Sequence, residues 1–201
     1  IYDPQYQKAI EHSQVPLVMY SAWHDAGTQL GILAMFASFD APIRVIIDPW
    51  NHGGNQKSDP FQAGDGMSAT ARTMDEVRDN AALWLNRFLK QDKEPAIDQS
   101  RFRGVDYYTL GENRWKSTAT WPLPNTNMQR WYLAESNQLS QTPSSDRHGC
   151  DGYQIDASTT TGVNNRWHAQ TAGKPILFPD RQEADKKCLV YDTPPLENDT
   201  E

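Results

Sequence analysis

The stretch that decides the fold is residues 15–54, which read VPLVMYSAWHDAGTQLGILAMFASFDAPIRVIIDPWNHGG. Two short apolar runs, 17–21 and 43–48, enclose a segment, 28–39, that is apolar on nearly every side. Apolar runs without alternation are typical of strands buried on both faces, and a helix that is apolar all round is a buried helix. The stretch therefore predicts a β-α-β unit with parallel strands and a right-handed crossover.

Two polar residues follow the predicted strands. Asp25 comes just after the first strand, and His52 comes just after the second. Both turns fall at the same edge of a parallel sheet, where catalytic groups of open α/β folds gather. Asp also precedes His in the chain order of α/β hydrolases. Asp25 and His52 therefore fit the places of the acid and the base in a Ser-His-Asp triad.

Other roles suit the same residues. Asp25 would also cap the helix that follows it, and His52 would also suit a solvated loop beside two glycines. A metal site built from His24, Asp25, Asp48 and His52 is a third alternative, although none of the usual ligand spacings is present. The spacing alone does not choose between these roles.

No serine of the chain has the context of a hydrolase nucleophile. The G-x-S-x-G motif, which places that serine on a strained turn, does not occur. Ser68 follows the histidine and lacks the second glycine, and Ser21 has no flanking glycines. We therefore take neither serine as the nucleophile.

The sequence after the predicted unit indicates one helix and then a change of class. Thr73 and Glu76 fit a capping box, at the start of a helix that should run to about Lys90. From Pro95 onward, short runs rich in aromatic and β-branched residues alternate with turn-rich loops, which is typical of a sandwich or jelly roll. These runs are 105–109, 129–133, 153–156 and 188–191.

The predicted fold class is α/β plus all-β. Residues 1–95 are expected to form the end of an α/β domain, with the β-α-β unit and a helix. Residues 96–201 are expected to form an incomplete jelly-roll β-sandwich, because a jelly roll has about eight strands. Two cysteines, Cys150 and Cys188, allow one disulfide or two free thiols.

Composition and charge argue against several functional classes. The net charge of -7 over 201 residues disfavours nucleic acid, because phosphate binding needs a concentrated basic surface. No run of about 18 apolar residues predicts a transmembrane helix. The first residues, IYDPQYQKAIEHSQ, lack the charged and apolar regions of a signal peptide.

Several motifs, in order, resemble those of the CocE/NonD hydrolases, the group of cocaine esterase, X-Pro dipeptidyl-peptidase and the α-amino acid ester hydrolases. Residues 16–25, PLVMYSAWHD, resemble the strand and GW(Y/F)D segment of the family, and residues 48–53, DPWNHG, resemble its G-P-W-x-H-G segment. Ala22 and Asp48 stand where the family usually has glycine. Further matches lie at 84–90, 107–115, 121–122, 131–133 and 193–196.

The resemblance implies that Asp25 and His52 are triad residues of an α/β-hydrolase domain. It also implies that the serine elbow, the oxyanion tyrosine and a helical cap lie before Ile1, and that further jelly-roll strands follow Glu201. The implied reaction is cleavage of a small-molecule ester or amide through an acyl-enzyme, as in esterases, acylases and dipeptidyl-peptidases, without metal or cofactor. The chain alone is expected to be inactive, because it lacks the nucleophile.

Two hypotheses from other classes stand beside this one. The first is a non-catalytic β-sandwich that binds a carbohydrate-like ligand, because Trp115, Trp121, Trp131 and Trp167 could stack on a sugar, although such side chains more often pack in a core. The second is a structural interaction role, in which exposed sheet edges favour a homo-oligomer.

Overall fold

The computed structural model describes residues 3–52, 72–90, 102–146, 148–165, 167–168 and 176–198. The chain divides into two compact units, the first of residues 1–124 and 163–178 and the second of residues 125–162 and 179–201. None of the described helices has the length and apolar character needed to cross a bilayer.

The described residues of the first unit form three helices and one sheet. The elements, in chain order, are α1 (Pro4–Ser13), β1 (Leu17–Ala22), α2 (Thr28–Ser38), β2 (Ile43–Asp48), α3 (Met74–Leu89), β3 (Gly104–Thr109) and β4 (Arg114–Thr118). The strands form one sheet in the order β1-β2-β3-β4. The pairs β1/β2 and β2/β3 are parallel, and β3/β4 is antiparallel. The predicted β-α-β unit and its parallel strands are confirmed.

One face of the sheet packs against α2 and forms the core. Ile43, Val45 and Ile47 alternate along β2 and are fully buried against Leu33 and Phe36 of the helix. The prediction that α2 is buried on every side is wrong, because Leu30 is 68% exposed. The helix thus buries only the stripe that faces the sheet.

The opposite face of the sheet carries polar side chains that pair with one another. Arg44 of β2 donates to Asp106 of β3 from Nε, at 3.0 Å, and forms an ion pair with the same carboxylate. Ser117 of β4 donates to the other oxygen of Asp106. A buried charge is costly unless it is paired. Here the Asp106 carboxylate of β3 is paired with Arg44 of β2 and accepts a hydrogen bond from Ser117 of β4.

Arg103, directly before β3, joins that strand to the end of α2. Its guanidinium donates to the carbonyl oxygens of Phe36, Phe39 and Ala41 at 2.7–2.9 Å. The last carbonyls of a helix have no partner inside the helix. Arg103 therefore stabilises both the C-terminus of α2 and the attachment of β3.

Helix α3 begins as the capping box predicts. The Thr73 hydroxyl accepts the Glu76 amide, and the Glu76 carboxylate accepts the Thr73 amide. The helix ends at Leu89, one residue before the predicted end.

Strand β3 lies in a different sheet from the one that the sequence indicated. We predicted a boundary between residues 95 and 96, with 105–109 as the first strand of the sandwich. In the structure this strand is parallel to β2 and continues the sheet of the first unit. The physical reason is that a buried parallel strand needs a neighbour on each side, and β3 supplies the second neighbour of β2.

The second unit contains little regular structure. Strands β5 (Tyr132–Ala134) and β6 (Gln138–Ser140) form an antiparallel pair around one 3₁₀ turn, and helix α4 spans Gln182–Asp185. The predicted strands at 153–156 and 188–191 do not form ladders in this structure. Cys150 and Cys188 are both free thiols.

We predict that Gly104→Ala lowers the free energy of unfolding by about 1–3 kcal/mol. A Cβ at position 104 would lie 2.6 Å from Nη1 of Arg44 and 3.1 Å from the carbonyl oxygen of Thr118, so the guanidinium would have to leave Asp106. Urea unfolding measures the change.

The matched control is Gly31→Ala in α2, where a Cβ meets nothing within 4 Å. This substitution should raise stability by about 0.5–1 kcal/mol, since glycine is a poor helix former. Equal effects of the two substitutions would contradict the prediction.

Candidate active site

Asp25 and His52 lie in contact at the carboxyl edge of the sheet. Nδ1 of His52 is 3.1 Å and 3.2 Å from the two carboxylate oxygens of Asp25. The two residues are 27 positions apart in sequence, and the parallel pairing of β1 and β2 brings their turns to one edge. The structure thus brings the two residues together, and their catalytic role remains a proposal.

The pairing of β1 and β2 continues past the strand ends and fixes the two turns. The Trp23 amide donates to the Asp48 carbonyl at 2.9 Å, and the His24 amide donates to the Trp50 carbonyl at 3.1 Å. The indole of Trp23 donates to the Tyr108 carbonyl of β3 at 2.6 Å. The backbone beside Asp25 is therefore tied to both β2 and β3.

The carboxylate of Asp25 is held by three donors. Its Oδ1 accepts the Ala26 amide at 2.6 Å, its Oδ2 accepts the Thr28 hydroxyl at 2.6 Å, and both oxygens lie near His52. Asp25 does not cap α2, because the N-cap is Gly27, whose φ of 108° favours glycine. Asp25 instead fixes the imidazole and the first residue of the helix.

These hydrogen bonds keep Asp25 ionised. Burial by itself raises the pKa of this carboxyl, but the hydrogen bonds from Thr28, His52 and the Ala26 amide outweigh it and lower the pKa below its usual value. The Asp25 side chain is only 6% exposed, so its charge acts in a region of low dielectric. An ionised, oriented acid is what a triad needs to hold the histidine tautomer.

The imidazole of His52 presents its other nitrogen away from Asp25. The His52 side chain is 51% exposed and lines a pocket of about 330 Å³ that Asp25 also lines. Since Nδ1 faces Asp25, Nε2 is the nitrogen that can exchange a proton with a reactant. His52 is therefore not the purely solvated loop histidine of the alternative interpretation.

The hydroxyl of Ser21 is engaged in a hydrogen bond that does not involve His52. The Ser21 hydroxyl is 2.7 Å from the Thr28 hydroxyl, and Thr28 donates its own proton to Asp25, so Ser21 must donate to Thr28. Ser68 lies outside the described residues.

Asp48 contributes a second carboxyl group to the same pocket. It ends β2, is 1% exposed, and neither oxygen has a hydrogen-bond partner within the described part of the chain. Burial raises the pKa of Asp48 to about 7, which Arg72 opposes and which Asp106 and Glu76 support. Asp48 therefore changes charge near neutral pH.

The metal alternative has no geometric support. Among the described residues, no three side chains of His, Cys, Asp or Glu are grouped so that they could hold a metal ion. His24, Asp25, Asp48 and His52 therefore do not form such a group.

Sequence reasoning missed three residues of the site. Thr28 gave no signal, because a threonine at the start of a helix is common. Tyr20 and Trp50 looked like core residues, yet both line the pocket. Asp48 did give a signal, because it stands where the CocE/NonD family usually has glycine.

The comparisons with known proteins agree with the resemblance. Residues 100–201 match the family described as the X-Pro dipeptidyl-peptidase C-terminal non-catalytic domain. Two proteins named as serine esterases, from Mycobacterium bovis and Mycobacterium tuberculosis, are each 32% identical over 199 residues. The matches cover 98% of this chain and 30% of each relative. They confirm the resemblance to the CocE/NonD hydrolases.

In the unchanged protein the free energy of unfolding should fall as pH rises, because Asp48 ionises. We predict that Asp48→Asn, whose side chain does not ionise, lacks this fall. The pKa of Asp48 rises from 3.8 to about 7 on folding, so the folded state favours the protonated group. The stability is present below the unfolded pKa and is lost as pH rises through the folded pKa, by at most about 4 kcal/mol.

Urea unfolding from pH 4 to pH 8 measures this dependence. The advantage of Asp48→Asn over the unchanged protein should grow steadily with pH. The exposed control Asp40→Asn removes the same charge without the burial and should follow the unchanged protein. A constant difference for Asp48→Asn would contradict the expectation.

We also predict that Thr28→Val raises the pKa of Asp25, because the variant loses the hydroxyl that donates to the carboxylate. Thr28→Ser keeps that donor and should leave the pKa near its original position. Carboxyl ¹³C NMR titration measures both variants. Identical titration curves for the two variants would show that the hydroxyl has no effect.

Proposed function

We propose that the chain, which belongs to the family of the X-Pro dipeptidyl-peptidase C-terminal non-catalytic domain, is part of a serine hydrolase. In this proposal the segment before the matched domain supplies the acid and the base of the catalytic triad. The substrate is a small-molecule ester or amide. The nucleophilic serine lies outside residues 1–201. The chain spans 30% of the length of the serine esterases it matches, which leaves ample sequence in such relatives for the serine.

The observation that carries this proposal is the contact between Asp25 and His52. A buried carboxylate with a lowered pKa holds Nδ1 of a half-exposed imidazole at the wall of a pocket. The two residues follow neighbouring parallel strands in the order acid, then base, as in α/β hydrolases. Residues 1–95 are therefore assigned to the end of an α/β-hydrolase domain.

The proposed reaction transfers an acyl group to water in two steps. Nε2 of His52 takes the proton of the serine hydroxyl as the serine oxygen attacks the carbonyl carbon, and His52 then gives that proton to the leaving alcohol or amine. Water cleaves the acyl-serine bond by the same proton route. Asp25 holds the imidazole and stabilises its cationic form throughout.

Residues 100–201 are, in this proposal, a segment that does no chemistry itself, although its first two strands, β3 and β4, complete the sheet of the first unit. The match over 100–201 to a domain described as non-catalytic supports this division. Strands β3 and β4 would then join that segment to the catalytic sheet.

The test uses the full-length protein and p-nitrophenyl butyrate. His52→Ala should lower kcat by about 10³–10⁴-fold or more, because removing one triad member leaves only binding and oxyanion contacts. Asp25→Asn should lower kcat by a similar factor. The control is His12→Ala, on the exposed side of α1, which should retain activity.

The 201-residue chain alone should not turn over the ester above the rate of the buffer. Turnover by this chain that is lost in His52→Ala would mean that a local serine serves as nucleophile, and the proposal of an external serine would fail.

A carbohydrate-binding role is the second candidate, and exposed aromatic rings favour it. Trp131 and Trp167 are 37% and 61% exposed. Trp115 instead lies under the guanidinium of Arg72, and Trp121 packs against Tyr107. Glycan binding that is lost in Trp131→Ala and kept in His52→Ala would support this candidate over the hydrolase.

A further inference from the structure

Three residues of the pocket bear buried polar atoms that lack a partner. They are the hydroxyl of Tyr20, the carboxyl of Asp48 and the indole nitrogen of Trp50. Within the described part of the chain, only three further residues carry such atoms. A buried polar group without a partner costs free energy. Three of the six described residues with such groups line this one pocket, which indicates that a ligand supplies the missing hydrogen bonds.

All three groups can donate a hydrogen bond. The indole of Trp50 is a donor only. Burial raises the pKa of Tyr20, so its hydroxyl keeps its proton. Asp48, whose pKa lies at about 7, is a donor in its protonated form. The ligand atom that best accepts hydrogen bonds from these groups is therefore an oxygen with free lone pairs.

The charge of the pocket argues against an anionic ligand. Asp25 and Asp48 line the pocket, and none of the described lining residues is lysine or arginine. A carboxylate or phosphate would thus meet the ionised carboxylate of Asp25, and no described lining residue is a lysine or arginine that would offset this charge. A neutral oxygen, as in an ether or a carbonyl, satisfies the donors without this repulsion.

The remaining wall of the pocket is suited to a small organic group. Met74 and Val77 of α3 and Ala22 of β1 contribute apolar surface. The volume of about 330 Å³ is at the lower end for small-molecule sites. His52 lines the same space, so a group bound here lies beside the proposed base.

We propose that this pocket is a specificity subsite that binds a neutral oxygen acceptor of the substrate through Tyr20, Asp48 and Trp50. The subsite rests on the proposed hydrolase function, because it places the oxygen in the acyl group or leaving group next to His52. Esters that carry an ether oxygen near the carbonyl are then better substrates than their hydrocarbon isosteres.

The experiment compares two esters of equal size in the full-length protein. p-Nitrophenyl methoxyacetate and p-nitrophenyl butyrate differ only by an ether oxygen in place of a methylene group. The ratio of their kcat/KM values, corrected for their rates in buffer, measures the subsite. Trp50→Phe and Tyr20→Phe each lower this ratio by about three- to tenfold, since each removes one hydrogen bond.

The matched control is Tyr6→Phe, which makes the same chemical change as Tyr20→Phe at an exposed position and keeps the ratio. A ratio unchanged in both Trp50→Phe and Tyr20→Phe overturns the subsite. If His52→Ala still abolishes turnover of both esters in that case, the hydrolase proposal stands without it.

A second measurement does not depend on activity. In the ¹⁵N-labelled 201-residue chain, ethyl methoxyacetate shifts the indole N–H resonance of Trp50, and ethyl butyrate at the same concentration shifts it less. Such a difference supports the subsite even if His52→Ala leaves turnover intact and so overturns the hydrolase proposal. Equal shifts from the two esters overturn the subsite.

Discussion

The parallel pairing of β1 with β2 is the constraint on which the site depends. The pairing sets Ala22 opposite Asp48 and continues into the turns through the Trp23 and His24 amides. Neither Asp25 nor His52 lies within a strand, so their contact requires that both strands end at the same level. A shift of register by one residue would turn the buried side chains of β2 to the opposite face. The core of Ile43, Val45 and Ile47 fixes this register and therefore also the distance between Asp25 and His52.

The two faces of the sheet differ in polarity: one is apolar, and the other carries charged side chains. The face toward α2 is apolar and supplies the burial. The other face carries Arg44, Asp106 and Asp48, whose charges lie close enough to influence one another. An ion pair of this kind adds little net stability, but it occupies the polar groups of Asp106 and leaves those of Asp48 without a partner. Burial raises the pKa of Asp48 to about 7. Asp106 has partners for its carboxylate oxygens, whereas Asp48 has no hydrogen-bond donor among the described residues that would offset the effect of burial.

Local patterns predicted the parts of this fold that local physics determines. The apolar runs, the capping box of Thr73 and Glu76, and the turns that carry Asp25 and His52 were all visible in the sequence. The place of β3 was not visible, because an aromatic strand looks the same whether its partner is a sandwich strand or β2. The hydroxyl of Thr28 and the orphaned carboxyl of Asp48 were also hidden, since hydrogen-bond partners depend on tertiary packing. The predicted strands at 153–156 and 188–191 had the right composition without ladder partners, and composition alone does not form a sheet.

Arg103 has a consequence for how such chains are divided into modules. The family match begins at residue 100. Arg103, three residues later, donates hydrogen bonds to the carbonyl oxygens at the end of α2. The strand that follows it, β3, is the second neighbour of β2 in the sheet. The start of the family match, at residue 100, therefore does not coincide with the end of the first compact unit, at residue 124. A protein engineer who exchanged residues 100–201 as one segment would also exchange β3 and β4 of the first unit's sheet, and with them the Tyr108 carbonyl that accepts the indole N–H of Trp23 near Asp25.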